Sequence, residues 1–516
     1  MHWQYGGMAL LAITLGALIF FMRGQYNSPD ERANDLFART WAHEGVLSYP
    51  AAVQNAGLSY PLFPRSTQPV GELLRPVGFI GMPLVLGTLA RIFGDGALPY
   101  ITLIVFFLGA GAWWFITHRV FGKEIADVSV WLYLLHPALV YYSVRGLYPN
   151  MMLLCMVLIA VACAMRAYEI WKKRGGIVWQ FFVWCAAAGF ATMIALLVRP
   201  PEALVMFGLV ASAAMVFGEK KVRRVGATII LALCAIALLG WFARRVGALS
   251  GAYPFLRDSS LFGILFPFGI DVGLIWHNCI HFIVRLFWPW VLLSTAGVLW
   301  WAYEAYRTRT WPRMILAYLW VVVPASLWLF AAYGSWRIND NPADPHAVTI
   351  GISYVRYWLP HFLFRMPFAV ILVFALRERF FPYWSKQKVA AILVLTLGLF
   401  GAWRMWSGVD GMGAVLKENQ EAKKVVAEVV QMMPPHGVLA VRAWDKHFFP
   451  LVPVLQPFPK ELHTFTAVHE LRKKNIPVLA FIAALNETDV WWLATNGLHA
   501  REIKKFGSHI LYEITE

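Results

Sequence analysis

Charged side chains are scarce in this sequence, and acidic ones scarcer still. Asp, Glu, Lys and Arg make up 14% of its 516 residues, against 59% hydrophobic and 16% aromatic. A soluble chain cannot bury that much apolar surface, so a wholly soluble protein is excluded. Cysteine is also rare. The five present, Cys155, Cys163, Cys185, Cys234 and Cys279, lie in or beside apolar segments, and none forms a Cys-x-x-Cys pair. That spacing excludes a cysteine metal site or a disulfide framework and leaves core packing. No internal repeat, low-complexity tract or glycine-rich phosphate loop stands out. The first apolar run, Met8 to Met22, lacks a basic leader and a small-residue cleavage site, so it reads as a retained span.

What the chain has instead is a succession of long apolar runs over its first four-fifths, the signature of a polytopic α-helical membrane protein. The formal net charge of +16 would suit a nucleic-acid partner, but its placement argues against one. The positive residues cluster in short loops between apolar runs: Arg119 and Lys123; Lys172, Lys173 and Arg174; Lys220, Lys221, Arg223 and Arg224; Arg307, Arg309 and Arg313; Arg377, Arg379, Lys386 and Lys388. By the positive-inside rule these loops are cytoplasmic. Segment 23–76 is balanced instead, with five basic residues (Arg23, Arg32, Arg39, Arg65, Arg75) and five acidic ones (Asp30, Glu31, Asp35, Glu44, Glu72).

Working outward from the basic loops places about 11 spans: near 6–22, 99–117, 125–143, 151–169, 177–198, 202–218, 225–243, 282–303, 314–332, 357–376 and 389–406. Two long external loops follow, 23–76 and one reaching to about 281. Residues 77–93, broken by Gly78, Gly81, Pro83 and Gly87, read as an interfacial or re-entrant helix. If they crossed, every later basic loop would face outward. The N-terminus is then cytoplasmic, in a plasma (inner) membrane. Residues 1–406 form the transmembrane part. From 407 to 516 twelve basic residues balance twelve acidic ones, and a small extracytoplasmic α/β domain is expected. Its helices fall at Val415–Met433 and Ala467–Lys474, with Asn486 capping a third through Asp489. Strands fall at Val438–Val441 and Val478–Ile482, and Ser508–Ile514 reads as an edge strand.

The acidic pair Asp30-Glu31 lies just outside the first span. A carboxylate beside hydrocarbon loses hydration and becomes a better base. The same pair, after Pro29, also opens the amphipathic stretch Ala33–Trp41 and suits a helix N-terminus. Both roles can hold together. His277 and His281 share a helix face but lack a third ligand. Asp340, Asp344 and His346 form a polar external turn that could take a divalent metal. Asn486-Glu487-Thr488 is a formal glycosylation acceptor.

The run Asp30-Glu31-Arg32-Ala33-Asn34-Asp35-Leu36-Phe37-Ala38-Arg39 followed by Gly45 resembles the first external loop of GT-C membrane glycosyltransferases. The branch it is most similar to contains the protein O-mannosyltransferases and the lipid A aminoarabinose transferases. Arg75-Pro76 resembles that branch's basic-Pro-Pro motif, with Val77 in place of the second proline. His136-Pro137, then Tyr142-Ser143-Val144-Arg145, and the later Arg356-Tyr357-Trp358-Leu359-Pro360 follow in the family's order. The resemblance implies a sugar transferase whose donor is a polyprenyl-phosphate sugar and whose acceptor, a protein, lipid or glycan, lies outside the cytoplasm. It implies Asp30 as general base, with Glu31 beside it, and inversion at the sugar. Arginines at external boundaries, Arg75, Arg145 and Arg356, with Arg199 and the intramembrane Arg285, are candidates for the donor phosphate. Tyr60, Asn150 and Tyr357 are candidates for sugar or acceptor. Many relatives carry an acid where Asn150 stands, so no cofactor is assigned and a divalent metal is left open. A lipid-carrier transporter without transferase activity is the alternative, and a membrane scaffold a third.

Overall fold

The structure is a computed structural model that describes residues 2–50, 58–174, 178–245, 261–338, 347–459 and 461–516. Asp340, Asp344 and His346 lie outside the described residues. In chain order come α1 (His2–Met22), α2 (Pro29–Glu44), β1 (Tyr49–Pro50), β2 (Thr67–Val70), β3 (Leu73–Pro76) and α3 (Gly81–Phe93). The helical middle follows: α4 (Leu98–Phe121), α5 (Lys123–Leu135), α6 (Pro137–Val144), α7 (Pro149–Arg174), α8 (Trp179–Val198), α9 (Pro200–Phe217) and α10 (Lys220–Arg245). It continues through α11 (Leu261–Leu265), α12 (Val272–Cys279), a π-helical stretch Ile280–Arg285, α13 (Leu286–Thr308), α14 (Arg313–Gly334), α15 (Ser353–Tyr357), α16 (Leu359–Phe364), α17 (Met366–Phe380) and α18 (Lys386–Trp406). The last part holds α19 (Met412–Met432), β4 (Val438–Val441), α20 (Asp445–Phe448), β5 (Val454–Leu455), α21 (Leu462–Lys473), β6 (Val478–Ala483), α22 (Glu487–Thr495), β7 (His499–Phe506) and β8 (His509–Thr515). The chain divides into two compact units, Met1–Leu98 with Val415–Glu516, and Pro99–Ala414.

Among the described residues seven helices are long and apolar enough to cross a membrane, and nine spans result if each of two bent pairs is one crossing. The first pair, α5 and α6, bends by 53°. The straight span expected at 125–143 is therefore broken at His136-Pro137. Proline has no N–H for the helical ladder and its ring crowds the preceding turn, and His136 before it is extended (φ −69°, ψ 123°). The second pair bends by 101°. Its helix begins at Val272, inside what reads from sequence as external loop. The break sits at the π turn and at Phe287 (φ −128°, ψ 35°), two residues before Pro289. Helix α3 has 13 residues. It rises about 20 Å, short of the roughly 30 Å hydrocarbon core.

In the first unit a five-stranded sheet runs in the order β5-β4-β6-β8-β7, parallel for β5, β4 and β6 and antiparallel from β6 onward. All four residues of β4 are buried, as a parallel strand covered on both faces requires. One face packs Val438, Ala440, Val478 and Ile482 against Phe465, Val468 and Leu471 of α21, and also against Leu62 with Leu58 and Tyr60 beside it. The other face packs Leu439, Val441, Leu479, Phe481 and Leu511 against Val426 and Val429 of α19, Leu36 and Phe37 of α2, and Leu74 of β3. Two segments more than 300 residues apart thus share one core. Strand β8, expected at the edge, lies inside the sheet between β6 and β7. The edge on that side is β7, whose charges Arg501, Glu502, Lys504 and Lys505 leave no apolar alternation to signal a strand.

Candidate functional site

In the first unit the site is built on the start of α2. Ser28 caps the helix by accepting a hydrogen bond from the Asp30 N–H at 3.2 Å, and Pro29 occupies the first turn. Asp30 and Glu31 follow, and the amphipathic face beyond them is pinned to the sheet by Leu36 and Phe37. Asp30 is half-buried and Glu31 buried. The Ser66 hydroxyl donates to Asp30 Oδ1 at 2.6 Å.

Helix α20 contacts the residues that flank Asp30 in the chain. The Lys446 ammonium donates to both oxygens of Asn27, at 3.0 and 2.8 Å, and to Glu418 at 3.2 Å. The Lys446 carbonyl accepts from Arg32 Nε at 2.9 Å. Burial lowers the Arg32 guanidinium below the usual arginine range, with Asp35 opposing. Burial likewise pushes His447 down to about 4, although Glu418 lies 3.6 Å away. Burial acts to raise Glu418, yet the His447 and Lys446 donors outweigh it and hold that carboxyl at about 2. Arg75 is exposed on β3, between the inward Leu74 and Pro76. Tyr60 packs against His463 with centroids 3.9 Å apart and the rings tilted by 33°, and its hydroxyl reaches the Gln456 carbonyl at 3.4 Å.

The second unit gathers the arginines. Arg145, at the end of α6, donates to the Tyr141 hydroxyl at 2.7 Å and the Tyr148 hydroxyl at 2.8 Å. Arg356, on α15, lies over the rings of Tyr148 (4.6 Å) and Tyr357 (5.3 Å). Arg199, between α8 and α9, lies over the same Tyr357 at 4.8 Å and donates to Glu202 at 2.6 Å. Tyr357 stacks on Tyr333 with centroids 4.1 Å apart. The contacts run Arg145, Tyr148, Arg356, Tyr357, Arg199, Glu202, and all three guanidiniums are buried. Asn150, at the start of α7, is buried, and its Oδ1 has no hydrogen-bond partner among the described residues.

ArnT from Cupriavidus metallidurans in the apo state aligns over 99% of this chain and 98% of its own, with a TM-score of 0.57 and 14% identity. ArnT bound to undecaprenyl phosphate aligns over 98% of each chain, with a TM-score of 0.57 and 13% identity. The chain carries the GT-C fold. The apo oligosaccharyltransferase of Archaeoglobus fulgidus aligns over 92% of this chain and 69% of its own, with a TM-score of 0.51 and 12% identity. No protein-family model matches the sequence, and no curated protein sequence does.

Of the residues singled out from sequence, Arg145, Arg199, Arg356 and Tyr357 come together, while Arg285 is exposed and bonded to His281 at 2.9 Å. His281 in turn stacks on His277 and bonds its carbonyl at 2.8 Å, a helix-surface arrangement. Among the described residues no group of three His, Cys, Asp or Glu gathers as metal ligands. Sequence reasoning missed Tyr141, Tyr148 and Tyr333, hidden in a chain that is 16% aromatic. It missed Ser66 and the α20 residues because their partners are distant in sequence.

Proposed function

We propose that this GT-C-fold chain is a membrane glycosyltransferase that moves a sugar from a polyprenyl phosphate to an acceptor outside the cytoplasm. The observation that carries the reading is the run of three buried guanidiniums bridged by Tyr148 and Tyr357, on a fold shared with a protein crystallised with undecaprenyl phosphate. Planar guanidinium forks and phenol hydroxyls match phosphate oxygens, and buried ones exert more force than solvated ones. Asp30 is the base. It takes the proton from an acceptor hydroxyl or amine, whose lone pair attacks the anomeric carbon. The bond from that carbon to the phosphate oxygen breaks, and the polyprenyl phosphate leaves with both electrons. Arg145, Arg199 and Arg356 neutralise the charge that develops on it. One displacement inverts the sugar. The domain at 407–516 stands outside the cytoplasm with the loop whose core it shares.

Membranes containing the full chain, supplied with radiolabelled undecaprenyl-phosphate hexoses and pentoses, transfer label to host-membrane acceptors. Asp30→Asn lowers that transfer by at least about a hundredfold at unchanged expression. Full transfer by Asp30→Asn removes the base assignment. Movement of the labelled lipid across vesicles with no transfer at all replaces the whole reading by a transporter.

A further inference from the structure

Asp445 is fully buried and is held by one arginine. It accepts from the Arg65 backbone N–H at 2.8 Å, from Nε at 2.9 Å and from Nη2 at 2.7 Å. Arg65 Nη2 also reaches the Ala443 carbonyl at 2.8 Å, so both its main chain and its side chain are fixed. The next residue, Ser66, has φ +62°. A non-glycine residue enters this left-handed region only where its surroundings over-determine it. Its carbonyl accepts from Val77 at 3.3 Å and its hydroxyl donates to Asp30. From the other direction Lys446 holds Asn27 and Arg32. Two consecutive residues of α20 therefore hold the chain beside Asp30, through Asn27 and Arg32, and beside its partner Ser66, through Arg65.

We propose that Ser66 is a positioning residue for Asp30, locked in place by the Asp445–Arg65 clamp, so that the C-terminal α/β region orients the base. This rests on Asp30 being the base. A hydroxyl donated to a carboxylate favours its charged form and fixes the rotation of its plane. Losing that donor makes the carboxyl harder to ionise and leaves it misaligned in the chemical step. Donor binding is untouched.

The charged and titratable groups on, or bonded to, the segments that flank Asp30 and Ser66 are Glu31, Arg32 and Asp35 on its own helix, Arg65 beside Ser66, Arg75 on β3, Asp445 and Lys446 on α20, and through Lys446 the pair Glu418 and His447. Ser66→Gly changes none of them, and glycine accepts φ +62° freely. The test uses the full chain in lipid nanodiscs with the labelled undecaprenyl-phosphate sugar that the parent turns over. For Ser66→Gly the expected result is a kcat lower by roughly tenfold, a donor KM within about twofold, and an acid limb of the pH–rate profile moved upward by about half a unit. Ser66→Asn, which tolerates the same backbone and keeps a donor, recovers part of the rate. A Ser66→Gly enzyme with parental kcat and an unmoved acid limb overturns the proposal while Asp30→Asn stays inactive. Full activity in Asp30→Asn overturns the base itself instead. Should Ser66→Gly fail to fold, Asp445→Asn takes its place: kcat drops at constant donor KM, and parental kcat overturns the clamp.

Discussion

At the scale of single residues, the buried His447 of α20 is expected to make its surroundings sensitive to acid. His447 is fully buried, its Nδ1 lies 3.2 Å from Gln25 Oε1, and burial brings it from the ordinary 6.5 down to about 4. The folded chain keeps this imidazole neutral where the unfolded chain would protonate it. Stability from His447 is therefore complete above about pH 6.5 and is lost as pH falls towards 4, an effect of roughly 3 kcal/mol. Glu418, held at about 2, adds a second loss between about 4.5 and 2. Its side chain is 42% exposed, so solvent screening makes that loss the smaller one. Hydrogen exchange of peptides covering 438–449, corrected for intrinsic rates, is expected to show protection falling between pH 6.5 and 4. His447→Asn keeps a donor for Gln25 but cannot titrate, so its protection stays flat from pH 6.5 to about 4.5, above the Glu418 loss. A variant that still loses protection there assigns the acid sensitivity to another group.

At the scale of elements, the helix carrying Asp30 is placed by close packing as well as by its cap. Helix α3 meets α2 at Gly87, where an added Cβ would run into the Ala38 carbonyl and lie 2.9 Å from Trp41 Cδ1. Neither backbone can yield without moving a helix. Gly87→Ala is expected to destabilise the first unit by about 1–3 kcal/mol and to lower transfer with it. Unchanged thermal unfolding of the purified variant would show that the helices part without cost. Such elements differ in how far sequence announces them. The α2 start was legible because Pro29 and the acidic pair are local chemistry, although the Ser28 cap was not singled out, and β4 was legible because Val438–Val441 is an unbroken apolar run. Nine of the eleven expected spans, all but those near 6–22 and 225–243, meet the length and hydropathy of a crossing among the described residues, but the breaks at Phe287 and the π turn were not legible, since tertiary packing decides the angle there. Strands β2 and β3 are four residues each and too short to show a period. The Arg65–Asp445 clamp spans 380 positions, and nothing in either neighbourhood names the other.

At the scale of the whole molecule, the C-terminal region shares its core with segment 23–76, and this changes what removing it should do. An acceptor-selecting appendage could be cut away with α2 and the hairpin intact. Here Leu36, Phe37 and Leu74 bury themselves on one face of its sheet and Leu62 on the other. Each such side chain is worth roughly 1.5–3 kcal/mol when fully buried. Together they approach the whole stability of a domain of this size, about 5–15 kcal/mol. A chain ending at Trp406 is expected to insert its helices yet leave residues 24–98 open to protease in sealed vesicles of the orientation that exposes them, with transfer lost. Residues 407–516 expressed alone should lack a cooperative unfolding transition, since their sheet has lost the side chains that cover it. A sharp transition in that fragment, with protected residues 24–98 in the truncated chain, would mean that the shared core contributes little. The C-terminal region would then act only on the acceptor.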